Sequence, residues 1–225
     1  MGITQKEVKV PRYGGTMGVI TVFAILCLVM PSSTLATVTY DFFNITGNSA
    51  TNALNGESQL SVDVDNGLGT VTFTFNNDLE EVGVDMVISE IYFDDGSLLS
   101  INSILNDPPK VVFVQDASPP DLPGGNTLSP PFEVSLGFLI EGGAPPSKKG
   151  IGPGQSLSIM FDLINGGTLA DVLDELDDGT LRIGIHVIAF ADKGSESFVN
   201  VPEPATVLLL GLGSLALIRL RRRRS

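Results

Sequence analysis

Period-two alternation of apolar and polar residues recurs along the middle of the chain. Leu60, Val62 and Val64 alternate with Ser61, Asp63 and Asp65, and Val71, Phe73 and Phe75 with Thr70, Thr72 and Thr74. The same pattern runs through Val134, Leu136, Phe138 and Ile140, through Leu157, Ile159, Phe161 and Leu163, and through Leu181, Ile183, Ile185 and Val187. Successive side chains of a strand point to opposite faces, so each run predicts a strand with one buried and one solvated side. Val38 to Thr46, Val84 to Phe93 and Val111 to Val114 add candidates. Turn clusters separate them, among them Asp65-Asn66-Gly67, Asp94-Asp95-Gly96 and Pro119-Pro120-Asp121. About eight one-sided strands predict an all-β domain, a β-sandwich of jelly-roll type.

One segment breaks the period. Leu169, Val172, Leu173 and Leu176 share one helical face, Thr168 precedes them and Asp171 follows Thr168 by three positions. That is a capping box opening one short amphipathic helix, closed at Gly179 and expected to cover an edge or end of the sandwich. The Pro/Gly-rich stretches Asp116 to Pro131 and Gly142 to Gly154 read as long surface loops. No repeat of solenoid length is visible.

The two ends carry a different pattern. Lys6, Lys9 and Arg12 precede an apolar run from Gly18 to Met30, and Thr34 and Ala36 supply the small residues of a cleavage site. A run of that length makes about 20 Å of helix, short of a hydrocarbon core of about 30 Å and suited to a signal peptide cleaved after Ala36. At the other end, Ala205 to Ile218 is apolar, with Pro202-Glu203-Pro204 before it and Arg219, Arg221, Arg222, Arg223 and Arg224 after it. The arginines are expected to stay cytoplasmic and act as a basic stop, holding the body outside. The prolines keep the preceding stretch extended, as a processing cleft requires. The resulting plan is a signal peptide over 1–36, an extracytoplasmic domain over 37–200 and a tail over 201–225, with a hydrophobic helix on either flank of the β domain.

Charge narrows the partners. The chain carries a formal net charge of −13, and residues 37–201 hold five basic residues against 24 acidic ones, a balance of −19. Without a basic stripe such a body repels nucleic acid and anionic lipid. The single cysteine, Cys27, lies in the signal segment, so neither a disulfide nor a thiolate metal site is expected in the mature domain.

Candidate chemistry is sparse. His186 lies in a strand, no Gly-x-Ser-x-Gly elbow is present, and a structural histidine is the favoured reading. Asp63, Asp65 and Asn66 before Gly67 superficially resemble a calcium loop but lack its closing glutamate, and a tight Asn-Gly turn explains them better. Calcium held elsewhere by loop oxygens stays open. With 24 acids in the body, a carboxylate pair of glycosidase spacing is no discriminating signal. The chain has no Trp and only Tyr13, Tyr40 and Tyr92, which weakens a sugar-stacking role. Thr70, Thr72 and Thr74 read as the solvated side of one strand rather than a flat ice-binding face. Asn44-Ile45-Thr46 matches a glycosylation sequon.

Val201-Pro202-Glu203-Pro204, the apolar stretch and the terminal arginines, in that order, resemble the PEP-CTERM sorting signal of Gram-negative bacteria. Within the body, Ile91 to Gly96, Ala117 to Asn126, Leu181 to Val187 and Gly194 to Asn200 resemble recurrent patterns of a PEP-CTERM subgroup without established activity. The resemblance implies recognition of Pro202, Glu203 and Pro204 by an integral-membrane exosortase, after passage through the inner membrane and signal peptidase. It also implies an association with exopolysaccharide. The same tail is catalogued as an ice-binding protein C-terminal domain. The expectation is an exported, non-enzymatic envelope or extracellular-matrix protein without a cofactor, with a carbohydrate-binding, lectin-like domain as the alternative and a polysaccharide-processing enzyme third.

Overall fold

The computed structural model describes residues 37–78, 85–94, 97–116 and 121–200. Ten strands form one antiparallel ladder: β1 (Val38–Asn44), β2 (Leu60–Asn66), β3 (Thr70–Asn77), β4 (Val87–Asp94), β5 (Leu99–Leu105), β6 (Phe113–Asp116), β7 (Val134–Gly142), β8 (Gln155–Leu163), β9 (Arg182–Ile188) and β10 (Glu196–Asn200). Their spatial order is β5-β8-β3-β2-β1-β10-β9-β4-β7-β6.

β1 is the fold line. Its first half pairs with β2, from Val38 opposite Val64 to Asp41 opposite Ser61, and its second half pairs with β10, from Phe42 opposite Asn200 to Asn44 opposite Phe198. The ladder therefore doubles over into two facing halves, β5-β8-β3-β2 and β10-β9-β4-β7-β6. Its two outer edges are tied where β5 gives way to β6: Asn106 donates to the Phe113 carbonyl at 3.0 Å and accepts from its amide at 2.6 Å. The result is the expected all-β architecture, drawn as one large sheet nearly closed into a barrel.

The inward positions of the alternating runs meet in the middle. Phe73 and Phe161 from one half pack edge-on to Phe93 from the other at 5.5 and 5.0 Å, and Phe138 stacks on Phe161 at 5.9 Å. Edge-to-face geometry of this kind adds to the burial of the rings themselves.

The helix expected behind Thr168 is α3 (Leu169–Asp178), with both halves of the capping box formed and Gly179 closing it in the left-handed conformation at φ 80°. Among the described residues two further α-helices correct the expectation of a single one: α1 (Ala50–Gln59) and the single turn α2 (Pro146–Lys149). α1 is poor in helix-favouring residues and forms by packing. Ser49 caps it, and Gly56 lies so close to the Phe198 ring that a Cβ would meet it at 2.2 Å. Strands β5 and β10 bring the count to ten against about eight expected from the alternation. β5 is interrupted by an irregularity between Ile101 and Ser103.

The stretch after Asp116, expected as a surface loop, is pinned to the domain over its described residues. Leu122 and Phe132 are buried and join Tyr92, Leu139 and Val199 in a second, smaller core on the outer side of the β9-β4-β7 sheet. Gly184 makes the space, since a Cβ there would meet Leu122 at 2.6 Å. The Gly142 to Gly154 stretch holds α2 and then Ile151, which is fully buried and exchanges two backbone hydrogen bonds with Ile88 at 3.0 Å.

Candidate functional site

Three groups of polar side chains are candidates for chemistry. The first surrounds Glu196 at the start of β10, which has no exposed surface. Its Oε2 accepts from Asn44 Nδ2 at 3.0 Å, from the Asn48 amide at 3.1 Å and from the Thr46 hydroxyl, and its Oε1 accepts from the Ser49 amide at 2.6 Å. Burial pushes the Glu196 carboxyl up, but the hydrogen bonds from Thr46, Asn44, Asn48 and Ser49 outweigh it and hold the group below its ordinary value. The sequon Asn44 is consumed here: its amide nitrogen donates to Glu196 and its oxygen accepts from Gly47.

The second group crosses the outer side of the second half. Ser197, His186, Glu90 and Glu141 lie opposite one another on β10, β9, β4 and β7. His186 Nδ1 and Ser197 Oγ are hydrogen-bonded at 3.1 Å, and Tyr92 donates its hydroxyl to Glu90. Burial lowers the His186 pKa against the opposing pull of Glu90, so the ring is held neutral. Burial, reinforced by Glu90, pushes the Tyr92 phenol far up. The Ser197 hydroxyl belongs to a residue with no exposed surface, so this pair has the elements of a nucleophile and base but no access for a substrate.

The third group is a recess of about 490 Å³ lined by Asp94, Pro130, Pro131, Glu133, Asp178, Gly179, Thr180 and Arg182. Arg182 is its anchor. It pairs with Asp94, donates to the Pro130 carbonyl at 2.9 Å and to that of Pro131 at 2.6 Å, and lies 5.3 Å over the Phe132 ring. The guanidinium thereby clamps the 121–133 segment onto the sheet. Asp178 accepts from the Thr180 amide at 2.8 Å, and hydrogen bonding to Thr180 lowers its pKa.

Asp63 and Asp65 stand on a plain β2–β3 hairpin, where they accept from Thr39 at 2.6 Å and Thr37 at 2.5 Å. Among the described residues no group of three or more His, Cys, Asp or Glu side chains is placed to hold a metal ion. Tyr40 and Tyr92 are both buried. Thr74 belongs to the cross-strand row Thr39-Asp63-Thr74-Ser158 and bonds Ser158 at 2.9 Å, so carboxylates interrupt the threonines.

Ala36, Cys27, Pro202, Glu203, Pro204, Arg219 and Arg221 to Arg224, with the two flanking apolar segments, lie outside the described residues. Among those described, no helix is long and apolar enough to cross a membrane.

A family model described as the PEP-CTERM protein-sorting motif matches residues 200–224. The chain thus carries, directly behind β10, the signal of an exported protein sorted by an exosortase, made as a membrane-anchored precursor. No curated protein and no solved structure matches the chain.

Sequence reasoning passed over Glu196 and Arg182. Position alone marks neither, since the partners of each, from residues 44–49 for Glu196 and from Asp94, Pro130 and Pro131 for Arg182, are distant in sequence.

Proposed function

We propose that this is a non-enzymatic protein of the envelope or extracellular matrix, whose β domain is displayed or released once its tail has been processed. Signal peptidase cuts after Ala36, and an exosortase-type protease reads Pro202, Glu203 and Pro204. The observation that carries this reading is the use of the polar interior. Glu196, His186 and Arg182 are each engaged in holding strands and loops, with partners already in place. A catalytic group, by contrast, must keep a lone pair or proton for its substrate.

The lectin-like alternative has one observation in its favour. The outer side of β2, β3 and β8 presents hydroxyls, amides and carboxylates in cross-strand rows, a surface able to hydrogen-bond a polyhydroxylated ligand. No ring stands on that side of β2, β3 or β8, the exposed Phe43 lying on β1, and that keeps it second.

Glu203→Ala should leave uncleaved protein in the membrane fraction, with intact mass placing the new N-terminus at Thr37. Release of the variant at the wild-type rate counts against sorting through this motif. Saturable binding on a glycan array, with or without added calcium, would replace the matrix reading by the lectin-like one. Turnover of a polysaccharide, abolished by one carboxylate substitution, would replace both.

A further inference from the structure

The sorting motif follows the folded body without a spacer. The match begins at residue 200, and Asn200 is the last residue of β10. β10 is an interior strand, paired with β1 on one side and β9 on the other, and all five of its residues are buried. Its end is held on both sides. Asn200 stands opposite Phe42, and its side-chain oxygen accepts the Ile183 amide at 2.7 Å.

Val201 alone separates this anchored residue from Pro202-Glu203-Pro204. At an extended reach of at most about 3.6 Å per residue, Glu203 cannot lie more than about 11 Å from Asn200. A body of this length has a radius of gyration of roughly 15 Å. A cleft that encloses Glu203 is therefore brought against the end of the domain. Peeling β10 away to gain reach would break ladder bonds on two sides and expose Phe198, which is fully buried.

The same end faces the other processing site. β1 runs antiparallel to β10, so Val38 to Asp41 project past Asn200, one residue on from the expected Ala36-Thr37 cut. Beside this exit lies the Arg182 recess, because Ile183 pairs with Asn200 through its amide. Asp94 is paired there with Arg182, whereas Glu133 and Asp178 form no ion pair among the described residues.

Resting on the sorting reading above, we propose that this end of the domain is a docking surface for the extracytoplasmic face of the exosortase-type protease. The motif is then presented at a fixed short reach from the anchored end of β10, and the recess carboxylates receive cationic or N–H groups of the enzyme. A short reach leaves less conformational freedom to lose on binding than a long tether would.

The test follows processing of the full-length precursor by pulse-chase in its own host. A flexible Gly/Ser insert of about eight residues between Asn200 and Val201 should slow processing about threefold or more, by loosening the tether and lifting the motif off the docking end. Glu133→Lys at native spacing should slow it as well, by placing a cation where the enzyme offers one. Either variant processed at or above the wild-type rate overturns the docking surface; acceleration by the insert would identify the body as an obstruction. Glu203→Ala separates the two ideas. If that variant is processed normally, the sorting reading itself falls. If it is blocked while the insert and Glu133→Lys are not slowed, only the docking proposal falls.

Discussion

Glu196 offers the most exacting check on how the domain is held together. Its carboxylate has no exposed surface and takes four hydrogen bonds, three on Oε2 and one on Oε1. The donors come from residues 44 to 49, the connection that leaves β1 and ends at Ser49, the N-cap of α1. Glutamine is the informative substitution, because it keeps volume and one acceptor. Placing its oxygen at the Oε2 position preserves three bonds but turns an NH₂ group towards the Ser49 amide. One charge-assisted bond is then lost and two donors face each other. A hydrogen bond to a charged group is worth about 1.5–3 kcal/mol, so Glu196→Gln should cost about 2–3 kcal/mol. Alanine removes all four acceptor contacts and should cost about 3–5 kcal/mol, at the upper end for a single substitution.

For a domain of this size 1 kcal/mol moves Tm by about 2–4 °C, which gives a drop of about 5–10 °C for glutamine and about 10–15 °C for alanine. Circular dichroism melts of the processed protein at pH 7 read this directly. Hydrogen exchange supplies an independent signature, since the Asn48 and Ser49 amides should lose protection before the strands do. A Glu196→Gln melt within about 1 °C of wild type would refute the reasoning, because it would mean that the four contacts add nothing over hydration.

Two further outcomes follow from the same packing. Replacing a helical glycine by alanine ordinarily stabilises by about 1 kcal/mol. At Gly56 the added Cβ would meet the Phe198 ring at 2.2 Å, so Gly56→Ala should instead destabilise by about 1–3 kcal/mol in a urea titration, and a gain in stability would show that α1 is free to move off the sheet. The folded His186 has its pKa lowered by burial, with Glu90 opposing from β4, Glu141 next to Glu90 on β7 and Ser197 beside it on β10. The unfolded chain then takes up the proton first as pH falls, so the contribution is complete above the ordinary histidine value of about 6.5 and is lost below it. Tm should decline between about pH 6.5 and 5 in the wild type and stay flat there in His186→Gln, since Glu196 titrates only below the ordinary glutamate range near 4.3. Parallel curves for the two proteins would remove His186 from the account.

The alternating runs were legible because each of β2, β3 and β8 buries one side and leaves the other partly exposed, and a period of two survives in the residue order. The capping box of α3 was legible for a similar reason, since its two partners lie three residues apart. β10 was not. Glu196, Ser197 and Asn200 are polar and buried: Asn44, Thr46 and the amides of Asn48 and Ser49, about 150 positions away, satisfy Glu196, while His186 and the Ile183 amide on β9 satisfy the side chains of Ser197 and Asn200. α1 escaped because Asn52, Gly56 and Gln59 are its buried residues, a face with no apolar stripe. Leu122 and Phe132 sat among prolines and glycines, and only the gap at Gly184 reveals that they pack down. The tail was legible outright, since its signal is an order of segments and needs no tertiary partner.

The two outer sides of the folded ladder are not equivalent, and this bears on what the exported domain can meet. Over β9, β4 and β7 the outer side is roofed by Leu122 and Phe132, clamped through Arg182. Over β2, β3 and β8 the side chains of Asp63, Asp65, Thr70, Thr72, Thr74 and Ser158 remain partly exposed. Lateral hydrogen bonds such as Thr39 to Asp63, Asn76 to Asp63 and Thr74 with Ser158 hold them in rows. A ligand competing for those groups must displace internal partners as well as water, so each contact yields less than a hydroxyl left free would give. That balance favours a passive, hydrated face over a sugar-reading one. It also gives the lectin-like alternative an address on the domain, the outer side of β2, β3 and β8.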